Sequence, residues 1–399
     1  VNENTLFAIG SCSKAFTAYI ISQLSEEHLI DLNDPVIKYL PHFYNPDLTI
    51  ADLIAHRTGM ARHDALWINK PLVKNDIVSL LKYLEPASEP GTTFQYNNLM
   101  YFAAGQIIEK VTGKSWEENV VERIFVPLNM TSSTVYPDQF LNGQNSSIGF
   151  AEIDNENQAL PPFDIDAIKP GGGVYSNLKD LLKWVAFQFN SNPTHELQIS
   201  FPPTQADDRQ SGYGLGWFIG NYFGHDYIRH GGMMPGFTSE IIIFPSEKLG
   251  VVLLTNSSSD GSFAIFEAKN RLLDEIFNIT GNNWTAQAKA SRDQAQLQLQ
   301  ATYDEKPCNL DPYIGEYHHP AYGAVSIFKK GERLHCKHGL LDTDLYYIGL
   351  DRFIGRYELL LQYKVRPYFE FMFSPDKSEL LIPFEGFRLM KPIPFKRKG

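Results

Sequence analysis

The chain has 399 residues, 43% hydrophobic and 20% charged, the balance of a globular protein long enough to bury a core without staples. Its formal net charge of -11 excludes nucleic acid as the main partner, because phosphate binding needs a concentrated basic surface. Its three cysteines, Cys12, Cys308 and Cys336, give neither a disulfide framework nor paired zinc spacing, and no apolar run reaches the ~18 residues of a membrane helix.

At roughly 150 residues per domain, the length implies two or three domains. Val1-Asn2-Glu3-Asn4 has neither a basic nor an apolar leader segment, so no signal peptide is expected in this chain. Phe7 to Gly10 reads as a strand end running into a helix. From Ser13 to about Leu24, Phe16, Ile20, Ile21 and Leu24 recur at helical spacing, which places Ser11 at a helix N-terminus. Pro35, Pro41 and Pro46 interrupt the next stretch. A short helix is predicted over Leu53 to His56, stopped before Gly59, and a longer one over Leu99 to Val111, closed by Thr112-Gly113. Residues 127–170, rich in Asn, Pro, Ser and Gly, are predicted as surface loops.

Gly171-Gly172-Gly173 leads into a helix over about Asn177 to Phe189. The period then changes. Leu215 to Tyr222, Asp226 to Arg229, Thr238 to Phe244 and Val251 to Asn256 read as strands of an antiparallel meander, followed by a helix over about Phe263 to Phe277. Helices at both ends would cover the sheet. Residues 280–307 are polar and Gln/Ala-rich and read as a linker with part-helical character. From 308 to 399 short aromatic strands recur, for example Ala324 to Phe328, Arg333 to Lys337, Leu345 to Leu350 and Tyr368 to Phe373. They predict an all-β domain, a small barrel or sandwich. Lys396-Arg397-Lys398 reads as a solvated tail. The fold class is α+β: an antiparallel sheet flanked by helices over 1–279, then the linker, then a barrel-like β domain.

Three segments could carry chemistry. In Ser11-Cys12-Ser13-Lys14, residues three apart share a helix face, so the Ser11 hydroxyl and the Lys14 amine can enter one cleft. A serine needs a base to become a nucleophile, and a lysine can be that base if burial lowers its pKa. The pattern alone is weak, since Ser79, Ser176, Ser326 and Ser374 also have Lys three residues on, and Ser13 is a rival nucleophile. Tyr96-Asn97-Asn98 supplies a phenol for proton relay and an amide to orient substrate or hold the lysine; a helix cap explains it equally. Tyr175-Ser176-Asn177 offers the same pattern, and spacing does not choose between them. His230-Gly231-Gly232 ends a predicted strand where glycines let substrate approach the backbone. His335, Cys336 and His338 alternate on a strand, which splits them between faces, so no metal site is expected.

In this order the three segments resemble those of the serine β-lactamase and penicillin-binding-protein superfamily, closest to its class C β-lactamase-like branch of esterases, D-aminopeptidases and related peptidases. Thr5 to Ser11, Asp31-Leu32-Asn33-Asp34-Pro35, Leu53 to Met60, Gly171 to Ser176 and Tyr213-Gly214-Leu215-Gly216-Trp217 resemble further landmarks of that branch. The resemblance selects Tyr96 over Tyr175. It implies Ser11 as nucleophile, Lys14 and Tyr96 as proton carriers, and Asn98, His230 and Gly232 as substrate contacts. The N–H groups of Ser11 and Met233 would form the oxyanion hole.

His230 stands where many relatives have lysine, and a neutral imidazole grips a substrate carboxylate less well than an ammonium. Only ten residues precede Ser11 in this sequence, where relatives carry a helix and the first strands of the sheet; the chain is a fragment, a processed form or an atypical member, and if those strands are absent from the protein an exposed sheet edge is expected. Residues 308–399 resemble the lipocalin-like domain appended to some of these peptidases. The expected function is an acyl-enzyme hydrolase of amides, with small or D-amino-acid-containing peptides as substrates. Esterase or class C-like β-lactamase activity is the alternative within the same chemistry, and a non-catalytic penicillin sensor the alternative outside it. The resemblance implies no cofactor, a periplasmic or secreted location, and leaves room for a homo-oligomer.

Overall fold

The computed structural model describes residues 1–68, 77–153, 156–190, 192–204, 208–297, 309–356, 368–383 and 392–398; Cys308 and linker residues 298–307 lie outside them. A mixed half precedes a closed β-barrel. In the first half the principal helices are α1 (Ser13–Glu26), α2 (Ile50–Ile54), α3 (Asn98–Thr112), α4 (Leu178–Phe187), α5 (Ser259–Phe277) and α6 (Trp284–Leu297). One sheet is built from β1 (Ile199–Ser200), β2 (Asp208–Tyr213), β3 (Phe218–Tyr222), β4 (His225–Met234), β5 (Phe237–Phe244) and β6 (Leu249–Thr255). The strands run antiparallel in the order β6-β5-β4-β3-β2-β1.

The core lies between sheet and helices. Every residue of β5 is buried, as expected of a central strand covered on both faces. α5 packs on β5 and β6 from one side, and α4 reaches β6 from the other. α1 carries the predicted Phe16, Ile20, Ile21 and Leu24 and buries all four; Phe16 stacks on Trp184 of α4 at 4.3 Å between ring centroids. α2 starts at a capping box in which Thr49 accepts from Asp52 N and the Asp52 side chain answers. α3 is capped by Asn97, which accepts from Leu99 N at 2.8 Å, and ends at Gly113 with φ 70, the left-handed stop that glycine favours.

The barrel closes through β7 (Gly315–His319), β8 (Gly323–Lys330), β9 (Arg333–His338), β10 (Leu341–Gly349), β11 (Arg352–Arg356), β12 (Tyr368–Phe373), β13 (Glu379–Ile382) and β14 (Ile393–Arg397). Each strand pairs with the next, and β14 returns to β7 through Tyr317↔Arg397 and His318↔Lys396. Alternate residues such as Val325, Ile327, Leu334 and Phe371 fill its interior.

Several expectations are corrected. Residues 127–170 contain a helix over Pro137–Leu141 and a paired hairpin, Phe150–Ile153 with Glu156–Ala159. The hairpin's second strand is exposed throughout, so it carries no alternating pattern to read. Lys396 and Arg397 belong to the last barrel strand, and Arg397 donates to the carbonyls of Pro312 and Ile314. α6 packs along α5, and Trp284 donates to Asp274 at 2.6 Å. No helix among the described residues is long and apolar enough to cross a membrane.

Candidate active site

Ser11 occupies a single 3-10 turn, Gly10–Cys12, that feeds directly into α1. The hydroxyl therefore sits just ahead of the α-helix, which begins at Ser13 as its periodicity predicts. Two glycines bring this turn against β4. Gly10 has φ 50, and a Cβ there would lie 2.8 Å from the Met233 nitrogen. A Cβ on Gly232 would lie 1.9 Å from the Ile9 carbonyl oxygen, inside any allowed contact. Ser239 Oγ of β5 donates to the same carbonyl at 2.7 Å. β3 accompanies β4 only as far as Arg229, so residues 230–234 turn an unpaired strand edge toward Ser11.

Lys14 is fully buried. Its Nζ lies 3.1 Å from Ser11 Oγ, 2.7 Å from Asn98 Oδ1 and 2.7 Å from the Gly171 carbonyl oxygen. Burial drives its pKa well below the ordinary lysine value, the Arg62 guanidinium adds to the fall, and Asp64 opposes it. A neutral amine has two hydrogens and one lone pair. The Asn98 and Gly171 oxygens can only accept, so they take the hydrogens, and the lone pair is left facing Ser11, whose hydroxyl can donate. The other end of the Asn98 amide fixes this assignment: Nδ2 donates to Asp64 Oδ1 at 3.0 Å. Trp67 Nε1 donates to that oxygen at 2.9 Å, and Arg62 Nε donates to Asp64 Oδ2.

Tyr96 approaches from the opposite side, with Lys14 Nζ 4.7 Å from its ring centroid. Its hydroxyl lies within interaction range of the Ser11 side chain, where a proton relay needs it. Burial holds the phenol's pKa above its usual value; Arg62 and Ser11 pull weakly the other way. The Leu53–Met60 landmark clamps this segment. The His56 ring lies 4.4 Å from the Tyr96 ring, His56 Nδ1 accepts from Asn97 N at 3.0 Å, and Asn97 Nδ2 donates to the Met60 and Ala61 carbonyls.

His230 is buried beneath the cavity floor, with Nε2 3.2 Å from Tyr213 Oη and Nδ1 2.7 Å from the Gly231 carbonyl. Burial, with Lys14 beside it, lowers its pKa to about 3, so the imidazole is neutral at physiological pH. The rivals stand elsewhere. Ser13 Oγ accepts from Val174 N at 3.0 Å. Tyr175 stacks on Phe140 at 4.4 Å, and Asn177 caps α4 by accepting from Asp180 N at 2.8 Å. Cys12 Sγ donates to the His230 carbonyl, and burial raises its thiol to about 12. In the barrel, Cys336 and His338 face inward, while His335 bonds Asp342 and Asp344 on the other face.

Ser11, Tyr96, Asn98, His230, Gly232 and Met233 border one cavity of about 700 Å³, and Gly171 brings the Lys14-bound carbonyl to its wall. Arg62 and Asp64 line it as well. The sequence reading missed both, although they stand as a charged pair in an apolar stretch just past the Leu53–Met60 landmark. Phe369 of β12 completes the wall from the barrel. Tyr322, in the β7–β8 turn, places its hydroxyl 2.9 Å from Nδ1 of His63, between Arg62 and Asp64.

A half-buried serine paired with a buried lysine between a helical layer and an antiparallel sheet defines the β-lactamase-like class of serine hydrolases. The chain belongs to the Beta-lactamase family, whose model matches residues 1–275. An unguisins hydrolase of Aspergillus campestris is 28% identical over 379 residues, covering 84% of this chain and 70% of that protein. The octameric penicillin-binding protein homologue of Pyrococcus abyssi superposes with a TM-score of 0.62 at 22% identity, over 99% of this chain and 89% of that one. A D-stereospecific amidohydrolase of Streptomyces superposes with a TM-score of 0.57 at 23% identity, over 64% of this chain and 83% of its own.

Proposed function

We propose that this serine hydrolase cleaves amide bonds of small or D-amino-acid-containing peptides through an acyl-enzyme on Ser11. As Ser11 Oγ bonds to the carbonyl carbon, its proton passes to the Lys14 lone pair. The oxygen that becomes negative sits between the N–H groups of Ser11 and Met233, where donors already in place are worth most. The departing amine takes a proton from the Lys14 ammonium through the Tyr96 hydroxyl, and the C–N bond breaks. Water then releases the acyl group by the same route in reverse. Asn98 positions the lysine and borders the substrate, and His230 and Gly232 shape the floor.

One observation carries this reading: both hydrogens of a neutral Lys14 are engaged by fixed acceptors, so its lone pair is aimed at the serine. General-base action of this kind is worth about 10²–10⁴-fold. Hydrolysis is supported by the name of the unguisins hydrolase relative, and the preference for amides and D-residues by that of the D-stereospecific amidohydrolase of like fold. The neutral His230 argues against strong β-lactam carboxylate binding.

The test is intact mass after exposure to a serine-directed phosphonate, for the parent and Ser11→Ala. The parent is expected to gain one adduct and the variant none; equal gains remove Ser11 from the role. A panel of D-aminoacyl amides, short-chain esters and a chromogenic cephalosporin then ranks the substrates. A single burst on the cephalosporin without further turnover on any member would instead indicate a penicillin sensor.

A further inference from the structure

Away from Ser11, the cavity runs between β4, β5, β2 and α5 and ends in a group of charges: Arg229, Glu240, Asp208 and Lys269. Arg229 and Glu240 form a two-pronged pair, Nε to Oε1 at 2.6 Å and the terminal nitrogen to Oε2 at 2.9 Å. Each oxygen of Glu240 thereby holds one bond from the guanidinium. The pair lies over Gly231, where a Cβ would sit 3.0 Å from Glu240 Oε2, so the glycine leaves the space that the pair fills.

Lys269 is different. The residue is 6% exposed, yet among the described residues its ammonium makes no hydrogen bond. Its nearest ion partner is Asp208 Oδ2 at 4.0 Å. Burial and the neighbouring Arg229 both lower its pKa, while Glu240 and Asp208 counter them. Lys269 lines the cavity, and a largely desolvated ammonium gains from a hydrogen-bonded anion. The Arg229 guanidinium also has donors left over, since two of its five N–H groups satisfy the pair with Glu240. On the acceptor side, Asp208 Oδ1 already takes the Tyr227 hydroxyl at 3.3 Å. The four charges balance in sum, but the acceptors lie out of hydrogen-bond reach of Lys269, whose ammonium stands at the cavity wall with Asp208 Oδ2 no nearer than 4.0 Å, a position an anionic ligand can fill.

We infer that Lys269, with Arg229 beside it, forms a carboxylate-binding subsite at the end of the catalytic cavity. The ligand is a carboxylate of the substrate, either a peptide C-terminus or an acidic side chain. This deepens the peptidase reading and rests on it. Gly231 and Arg229 lie two and four residues from Met233 on β4, roughly 7 and 13 Å at strand spacing. The carboxylate therefore belongs about two to four extended residues from the bond attacked.

The test separates binding from chemistry. Calorimetry with full-length Ser11→Ala measures three probes of one D,L-alanine tetrapeptide backbone: the free C-terminal acid, its C-terminal amide, and the amide with one internal glutamate. The acid or the glutamate peptide is expected to bind about tenfold more tightly than the plain amide, and which of the two gains tells the terminus from the side chain. Adding Lys269→Met should abolish the difference and leave amide binding unchanged; Lys269→Arg should restore part of it. Equal affinities for all three probes, no binding by any, or an equal loss for all three in Lys269→Met overturns the subsite. A short-chain ester assay on the parent and on Lys269→Met, both with Ser11 intact, reports the hydrolase reading on its own. If the ester is not turned over, that reading fails whatever the calorimetry shows.

Discussion

At the scale of residues, the hydroxyl–amine pair at Ser11 and Lys14 was legible because its spacing is local. What tunes the amine was not. Asp64 is 34 positions from the Asn98 it bonds, and Arg62 acts on Lys14 through space; no pattern in a single sequence connects them. The tuning has a sign that can be measured. Lys14 acts as a base only when unprotonated, and its pKa is lowered, so activity should fail as pH drops through that lowered value. Arg62 helps hold it down. Arg62→Met should raise it, both by removing a cation and by leaving Asp64 less neutralised. The acid limb of the kcat/KM profile should therefore move to higher pH. An unmoved limb, or one shifted toward acid, removes Arg62 from this role. Lys14→Ala should cost about 10²–10⁴ in the rate of acylation, measured by phosphonate labelling.

At the scale of elements, the helices were read to within a few residues because their apolar periodicity is strong. α1 and α3 emerge close to their expected spans. β4 was read as ending at Arg229 and in fact continues to Met234. Glycine is a poor strand former, so the His230-Gly231-Gly232 segment looks like a terminus in one dimension. In three dimensions the glycines are what let the strand continue, because Ile9 and the Arg229–Glu240 pair take the space of the missing side chains. Gly232→Ala is thus expected to separate β4 from the serine turn. Acylation should fall by at least about a hundredfold, the order seen when one oxyanion donor is lost. Stability should drop by about 1–3 kcal/mol from overpacking, read from urea denaturation. A variant of parental stability and activity would mean that the turn yields easily.

At the scale of the whole molecule, a strand-rich C-terminal region was visible in the spacing of its aromatic segments. A barrel-like domain was expected there and is found; the particular pairing that closes it was not legible, since the return of β14 to β7 joins residues far apart in sequence. Nor could the sequence show that the barrel touches the catalytic half. His63 is 1% exposed, and burial lowers its pKa to about 4. The Tyr322 phenol supplies the bond to its Nδ1. Tyr322→Phe should cost about 1 kcal/mol of stability, measured by urea denaturation. It should leave Ser11 open to the phosphonate, because the bond lies one residue away from the side chains that face the cavity. Loss of labelling would show that the barrel contact governs the nucleophile itself.

Because Phe369 follows Ser11, Lys14 and Tyr96 by well over half of this sequence, the chamber around Ser11 is finished only after the barrel strand that carries it has been made. A ribosome that has released only the first three hundred residues has already made Ser11, Lys14 and Tyr96. A prematurely terminated product would thus carry those three side chains but lack the wall that Phe369 supplies. Substrate selection is therefore the property that such a truncation would alter first.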